Sequence, residues 1–331
     1  MKLVSLRSRH PEIAAVDLGE TVSLEREVLR LGAAGPVVDV AWPQAAAPRR
    51  PVVLVHGFGQ NRRAWHLSQR SFANALAAAG HPVFNVDLRG HGEARGGEPQ
   101  ASWLEYARDD LPAVLVHATA ATGCDRAVVF GHSLGGLIAT VTAGASPSVR
   151  ALGLFAVPRA FGVGNTSLEV LASALGVVAA RAPRGAFPMQ LVRGIFERTE
   201  ALWESRWMPL PIRAWHPGGF EVGLLREWLS ASFDRASLGE IAGLLATRVD
   251  ASEVTAALSL FDARRDLPLW VVAGRHDLLA PPRSARVAFT QSQSEDKTFS
   301  LVDHGHGDLL VGTLAPAQVW RPTLRWLERV G

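Results

Sequence analysis

The sequence predicts a doubly wound α/β domain: a mostly parallel sheet with an N-terminal antiparallel hairpin and a helical insertion. Three observations carry this expectation. Short β-branched and aliphatic runs recur without the polar alternation of a half-exposed strand, as in strands buried on both faces. Helical segments separate these runs, and a strand–helix alternation of this kind winds a parallel sheet. The alternation lapses over residues 159–265, where helical periodicity and several tryptophans take over, and resumes afterwards.

The first two strand-like stretches, residues 21–31 and 36–42, are separated by Gly32-Ala33-Ala34-Gly35 and read as a hairpin. Buried strands are then expected at 51–55, 82–86, 126–130, 151–157, 269–273 and 298–302. Helices are expected at 71–79, 103–121, 134–145, 283–291 and 316–330. Residues 1–158 and 266–331 would form the core domain, and residues 159–265 a cap over the sheet edge where ligands bind in open α/β sheets. Trp203, Trp207, Trp215 and Trp228 would either build a small core within that cap or line an apolar substrate channel.

Composition narrows the function classes. The chain has 331 residues, 48% of them hydrophobic, enough for one large domain with an insertion. Its 34 Lys and Arg are interspersed with 31 Asp and Glu, for a formal charge of +3, and no basic stripe emerges to contact nucleic acid. Cys124 is the only cysteine, which precludes an internal disulfide. The early basic residue is followed by Arg9, His10, Pro11 and Glu12 rather than an apolar run, and no apolar stretch reaches the length of a membrane span. A cytoplasmic location and no integral membrane segment are the expectation.

The most informative motif is Gly131-His132-Ser133-Leu134-Gly135, running on into Gly136, after the strand pattern Arg126-Ala127-Val128-Val129-Phe130. A strand turning sharply into a helix holds its apical residue in strained geometry, and small neighbours let strand and helix pass closely. Ser133 is thereby predicted as a nucleophile. A serine hydroxyl needs a base within hydrogen-bond reach, itself oriented by a carboxylate. With the chain order Ser, Asp, His, the acid falls after a later strand and the base after the last one. Asp277 follows the strand at 269–273 and its glycine exit, Gly274.

Asp303-His304-Gly305-His306-Gly307-Asp308 offers two histidines. His306, freed by the glycine before it and leading into the final helical stretch, is the preferred base, with His304 satisfying a turn. A metal site on His304, His306 and Asp308 lacks a convincing further ligand, and no cofactor is expected. A tetrahedral oxyanion needs two backbone donors, one after the nucleophile and one from an early loop. Leu134 supplies the first, and Phe58, in His56-Gly57-Phe58-Gly59, the second. His56 is read as fixing that loop. In Asp87-Leu88-Arg89-Gly90-His91-Gly92, Arg89 is expected to pair with a carboxylate and His91 to be structural.

With these residues assembled, the chain from about residue 51 to 330 resembles the α/β-hydrolase superfamily. His306-Gly307-Asp308-Leu309-Leu310-Val311-Gly312 is similar to the His-x-Asp-Leu/Phe-x-x-Gly signature of the acid-lipase-like and esterase branch. Residues 61–80, with Trp65, Ser71, Phe72, Ala73 and Leu76, are similar to the segment after the oxyanion loop in that branch. The resemblance implies an α/β-hydrolase fold and hydrolysis of a small-molecule acyl ester with an apolar acyl or alcohol group. A serine at the elbow disfavours dehalogenase and epoxide-hydrolase chemistry, which use aspartate there. Thioesterases, acyltransferases and carbon–carbon bond hydrolases share the triad, and some members of the fold only bind ligands. As a base His306 must be neutral, so turnover is expected to fall on acidification.

Overall fold

The computed structural model describes residues 2–44, 48–95, 102–159, 221–236, 240 and 252–331. Nine strands form one sheet in the order β1-β2-β3-β5-β4-β6-β7-β8-β9. β1 (Leu3–Asp17), β2 (Glu20–Leu31) and β3 (Val37–Pro43) run antiparallel, and β3 pairs antiparallel with β5 (Val83–Asp87). From β5 onward all pairs are parallel: β4 (Val52–Val55), β6 (Ala127–His132), β7 (Val149–Phe155), β8 (Leu269–Gly274) and β9 (Lys297–Val302). The uninterrupted apolar runs become central strands because both faces are covered: β4, β6 and β8 are buried at every position.

Two apolar layers result. One face packs α1 (Phe72–Ala78), which Ser71 caps by accepting from the Asn74 amide, together with the C-terminal helix. The opposite face carries α2 (Leu111–Thr122) and α3 (Leu134–Ala145). The hairpin expected at 21–31 and 36–42 is β2–β3, with Arg30 opposite Val37 and Leu24 opposite Pro43.

Three features depart from expectation. The chain opens on a further strand, β1, at the sheet edge; it is mostly exposed, contains Pro11 and carries three register irregularities against β2. Edge strands of this composition lack the apolar alternation that marks a half-buried strand. The helix expected at 103–121 is α-helical at Trp103–Glu105 and Leu111–Thr122 but forms a π turn at Tyr106–Asp110. The helix expected at 316–330 likewise opens with a π turn at Pro316–Trp320 before α8 (Arg321–Val330). Each π turn ends two residues before a proline, Pro112 or Pro322. A proline ring clashes with the carbonyl four residues back, and widening the preceding turn makes room for it.

Most of residues 159–265, including Trp203, Trp207 and Trp215, lies outside the described residues. Two helices in that range are described. α4 (Val222–Ser232) packs against residues 62–65, and α5 (Ser252–Asp262) lies along α3 of the core. Arg159 pairs with Asp262 at 2.6 Å, so the point where the chain leaves the sheet layer is joined to the end of α5. α6 (Pro282–Gln291) and the short α7 (Asp308–Val311) complete the helices used below.

Candidate active site

Parallel strands share a direction, so the residues after β4, β6, β8 and β9 emerge at one edge of the sheet. Ser133 lies at the junction of β6 and α3 with φ 51°, ψ −122°, the strained geometry its glycine neighbours predict. Its amide donates to the Phe155 carbonyl at 3.0 Å, which ties the turn to β7. The glycines are there for clearance. A methyl group at Gly131 would lie 2.5 Å from the Gly135 carbonyl oxygen, and one at Gly136 would run into the Val157 side chain.

The loop after β4 closes against this turn. A methyl group at Gly57 would stand 3.1 Å from both Ser133 Cβ and His132 Nδ1, so the chain passes the nucleophile closely here. Phe58 follows Gly57 at this approach, and Leu134 follows Ser133. His56 fixes the loop: its Nε2 accepts from the Leu88 amide at 3.2 Å, leaving Nδ1 to donate to the Gly57 carbonyl at 2.9 Å. Burial, and then the neighbouring His91, lower its pKa to about 3, so it is neutral and its tautomer is set.

At the far side, His306 Nδ1 lies 2.8 Å from Asp277 Oδ2. Asp277 Oδ1 accepts the Leu279 and Ala280 amides, each at 2.8 Å, so both carboxylate oxygens are occupied and its orientation is fixed. Because a carboxylate only accepts, Nδ1 carries the proton and Nε2 presents a lone pair. His306 is held beside the elbow by His132, whose Nε2 donates to the His306 carbonyl at 2.9 Å, the two rings lying 4.7 Å apart. Burial, followed by the charge His306 can carry, pushes the His132 pKa well down and keeps it neutral.

His304 is placed elsewhere. It is buried with Nδ1 3.3 Å from Asp308 Oδ2, while its carbonyl accepts the His276 amide. Of the two candidate bases, His306 is the one that meets Asp277. Asp308 Oδ1 accepts the Gly305 amide at 2.9 Å, holding the turn between the histidines. Trp228 of α4 packs on Gly307, where a methyl group would fall 2.7 Å from its ring.

The neighbouring loop joins the Asp87–Gly92 motif to Tyr106, Glu240 and Asp234, which motif reading passed over. Arg89 pairs with Asp110 as expected, at 2.5 Å. His91 Nε2 lies 3.1 Å from Glu240, which also accepts from the Tyr106 hydroxyl at 2.7 Å. Burial alone would lower the His91 pKa, but the Glu240 carboxylate outweighs it and raises the value. Asp87 gathers the loop: it accepts the Arg62 amide at 2.8 Å and the Glu93 amide at 2.9 Å, and forms an ion pair with the Arg62 guanidinium. Its place at the end of a buried strand was the signal available. Asp234 had none, because its partners lie more than 130 residues away.

A family model described as "Alpha/beta hydrolase family" matches residues 52–321, and the chain belongs to that family. Among curated relatives, it is 35% identical over 107 residues to the dihydrolipoyllysine-residue acetyltransferase component of the acetoin cleaving system of Pseudomonas putida, covering 32% of this chain and 26% of that protein. It is 34% identical over 114 residues to the monoacylglycerol lipase of Mycolicibacterium smegmatis, covering 34% and 38%. The matched stretch thus spans well under half of either relative. A soluble variant of monoglyceride lipase from Saccharomyces cerevisiae superposes with a TM-score of 0.64 at 16% identity, over 96% of this chain and 99% of that one. At that identity the likeness speaks to the fold. Among the described residues no helix is long and apolar enough to cross a membrane.

Proposed function

We propose that the protein is a serine hydrolase that cleaves carboxylic esters bearing an apolar acyl or alcohol group. The observation that carries the reading is the joint geometry at the sheet edge. Ser133 stands at a strained strand–helix turn, and the Asp277-bound His306 is hydrogen-bonded through its backbone to the adjacent elbow residue. The curated relative named as a monoacylglycerol lipase supports an ester as the substrate class.

Ser133 Oγ attacks the acyl carbonyl carbon while its proton passes to His306 Nε2. The carbonyl oxygen becomes an oxyanion facing the Phe58 and Leu134 amides, and Asp277 stabilises the imidazolium through Nδ1. On collapse the C–O bond to the alcohol breaks and the alkoxide takes the proton from Nε2, leaving an acyl-Ser133. Water, deprotonated by the same nitrogen, then releases the acid and restores the hydroxyl. These five residues come from four strand ends, Ser133 and Leu134 sharing that of β6, so the sheet holds their spacing before substrate arrives.

A panel of p-nitrophenyl esters of increasing acyl length tests the reading. Turnover should occur, peak at one chain length and fall by about 10³-fold or more in Ser133→Ala. Ester turnover that survives this substitution would refute the assignment.

A further inference from the structure

We infer that Asp234 is a positioning residue for the oxyanion hole, a role that rests on the hydrolase reading above. His56 ties the near side of the loop that presents Phe58, but glycine stands on both sides of Phe58, with Gly59 at φ +62°, so something must hold the far side as well.

The segment leaving α4 does so. Residues 232–234 run antiparallel to residues 59–61, with Gln60 bridged to Phe233. The Asn61 amide donates to the Ser232 carbonyl at 3.0 Å, and the Asp234 amide donates to the Gly59 carbonyl at 2.7 Å. The Asn61 side-chain nitrogen donates to the Ala231 carbonyl at 2.9 Å. These bonds fall on the residues immediately after Phe58.

The Asp234 carboxylate then fixes the bridge to the rest of the site. Its side chain is 1% exposed. Oδ2 accepts the Gly92 amide at 2.5 Å and lies 3.4 Å from the Asn61 side-chain nitrogen, while Oδ1 accepts the Arg95 guanidinium at 2.6 Å and 3.1 Å. Gly92 belongs to the loop gathered around Asp87, which holds the Arg62 amide from the other flank. Residues 59–62 are therefore gripped between two buried carboxylates, Asp87 from β5 and Asp234 from the segment after α4. Backbone donors stabilise a developing oxyanion only as well as they are aimed, and misplacement by an ångström costs orders of magnitude. Removing the Asp234 carboxylate frees the bridge from the Gly92 loop while leaving Ser133, His306 and Asp277 untouched.

Asp234→Ala and Asp234→Asn are the test, measured on p-nitrophenyl butyrate per active site titrated with a fluorophosphonate, alongside binding of n-butylboronic acid as a tetrahedral adduct. Per-site kcat in Asp234→Ala should fall about 10- to 100-fold with KM within about threefold. Boronic acid affinity should weaken in proportion, and the pH profile of kcat/KM should keep its wild-type shape because the base is unaltered. Asp234→Asn, which keeps the shape and one acceptor oxygen, should lose less, and it carries the comparison should the alanine variant fail to fold. Per-site turnover and boronic acid affinity at wild-type levels would overturn the inference while leaving the hydrolase reading intact. Absence of Ser133-dependent ester turnover in the wild type would overturn both.

Discussion

Ser133 holds φ 51° although a side chain in that region costs on the order of 1–2 kcal/mol. The strain is tolerated because the turn lifts the hydroxyl clear of the helix it starts. Ser133→Gly should therefore raise unfolding stability by about 0.5–2 kcal/mol while abolishing turnover, a pairing that thermal denaturation and an ester assay check together. Ser133→Ala should abolish turnover with no comparable gain. The histidines make the complementary case: His306→Ala should cost at least about 10³-fold in kcat, whereas His304→Ala should keep a measurable fraction of turnover and lose stability. The reverse ranking would move the base to His304. The Gly305 hinge and the residues that follow it were the signals that favoured His306 in the sequence. The orientation of Asp277 by the Leu279 and Ala280 amides was not, since it depends on how the chain turns after β8.

At the scale of elements, the central strands announced themselves because burial on both faces leaves nothing but apolar residues, as in Val52–Val55 and Leu269–Gly274. β1 did not, because an exposed edge strand with charges and Pro11 resembles a loop in composition. The π turns before Pro112 and Pro322 were foreshadowed by the prolines, but the surrounding helical periodicity masked them. Of the two helices described between β7 and β8, α4 is the one that packs beside His306. Arg70 forms a two-pronged pair with Glu221 at 2.7 and 3.0 Å, the Ser68 amide and hydroxyl both donate to Glu227 at 2.6 Å, and Trp228 packs on Gly307 next to His306. Trp228→Ala should cost about 3–5 kcal/mol of stability and lower kcat by loosening the His306 turn. Trp228→Phe should retain more of both, which denaturant melts and kinetics on the same preparations would show.

For the whole molecule, the pH dependence of stability follows from where its histidines are buried. His56, with a pKa of about 3, and His132 and His81, lowered mainly by burial, remain neutral when folded but take up protons near pH 6.5 when unfolded. A depressed histidine contributes stability present above its unfolded pKa and lost as pH falls below it, by up to about 1.4 kcal/mol per pH unit for each group. His91 has the opposite sign: its raised pKa contributes stability that is complete below about pH 6.5 and fades as pH rises through the folded value. Chemical denaturation across pH 4.5–9 should show a steep acid limb and a shallower alkaline one, with Glu240→Gln removing the His91 contribution to the latter. The long-range ties behind this behaviour, His91 to Glu240 and Asp234 to Gly92, join residues more than 140 positions apart. Local pattern carries no trace of such pairings, whereas the alternation of strands and helices outside residues 159–265 was readable from β2 onward.

The most direct measurement is the site of covalent labelling by a fluorophosphonate, mapped by mass spectrometry on folded protein. A single adduct on Ser133, lost on denaturation before labelling and slowed by about 10²-fold or more in His306→Ala, is the result expected of a nucleophile activated by the Asp277-bound imidazole. Folded protein that stays unlabelled, or carries its adduct at another residue, would contradict it.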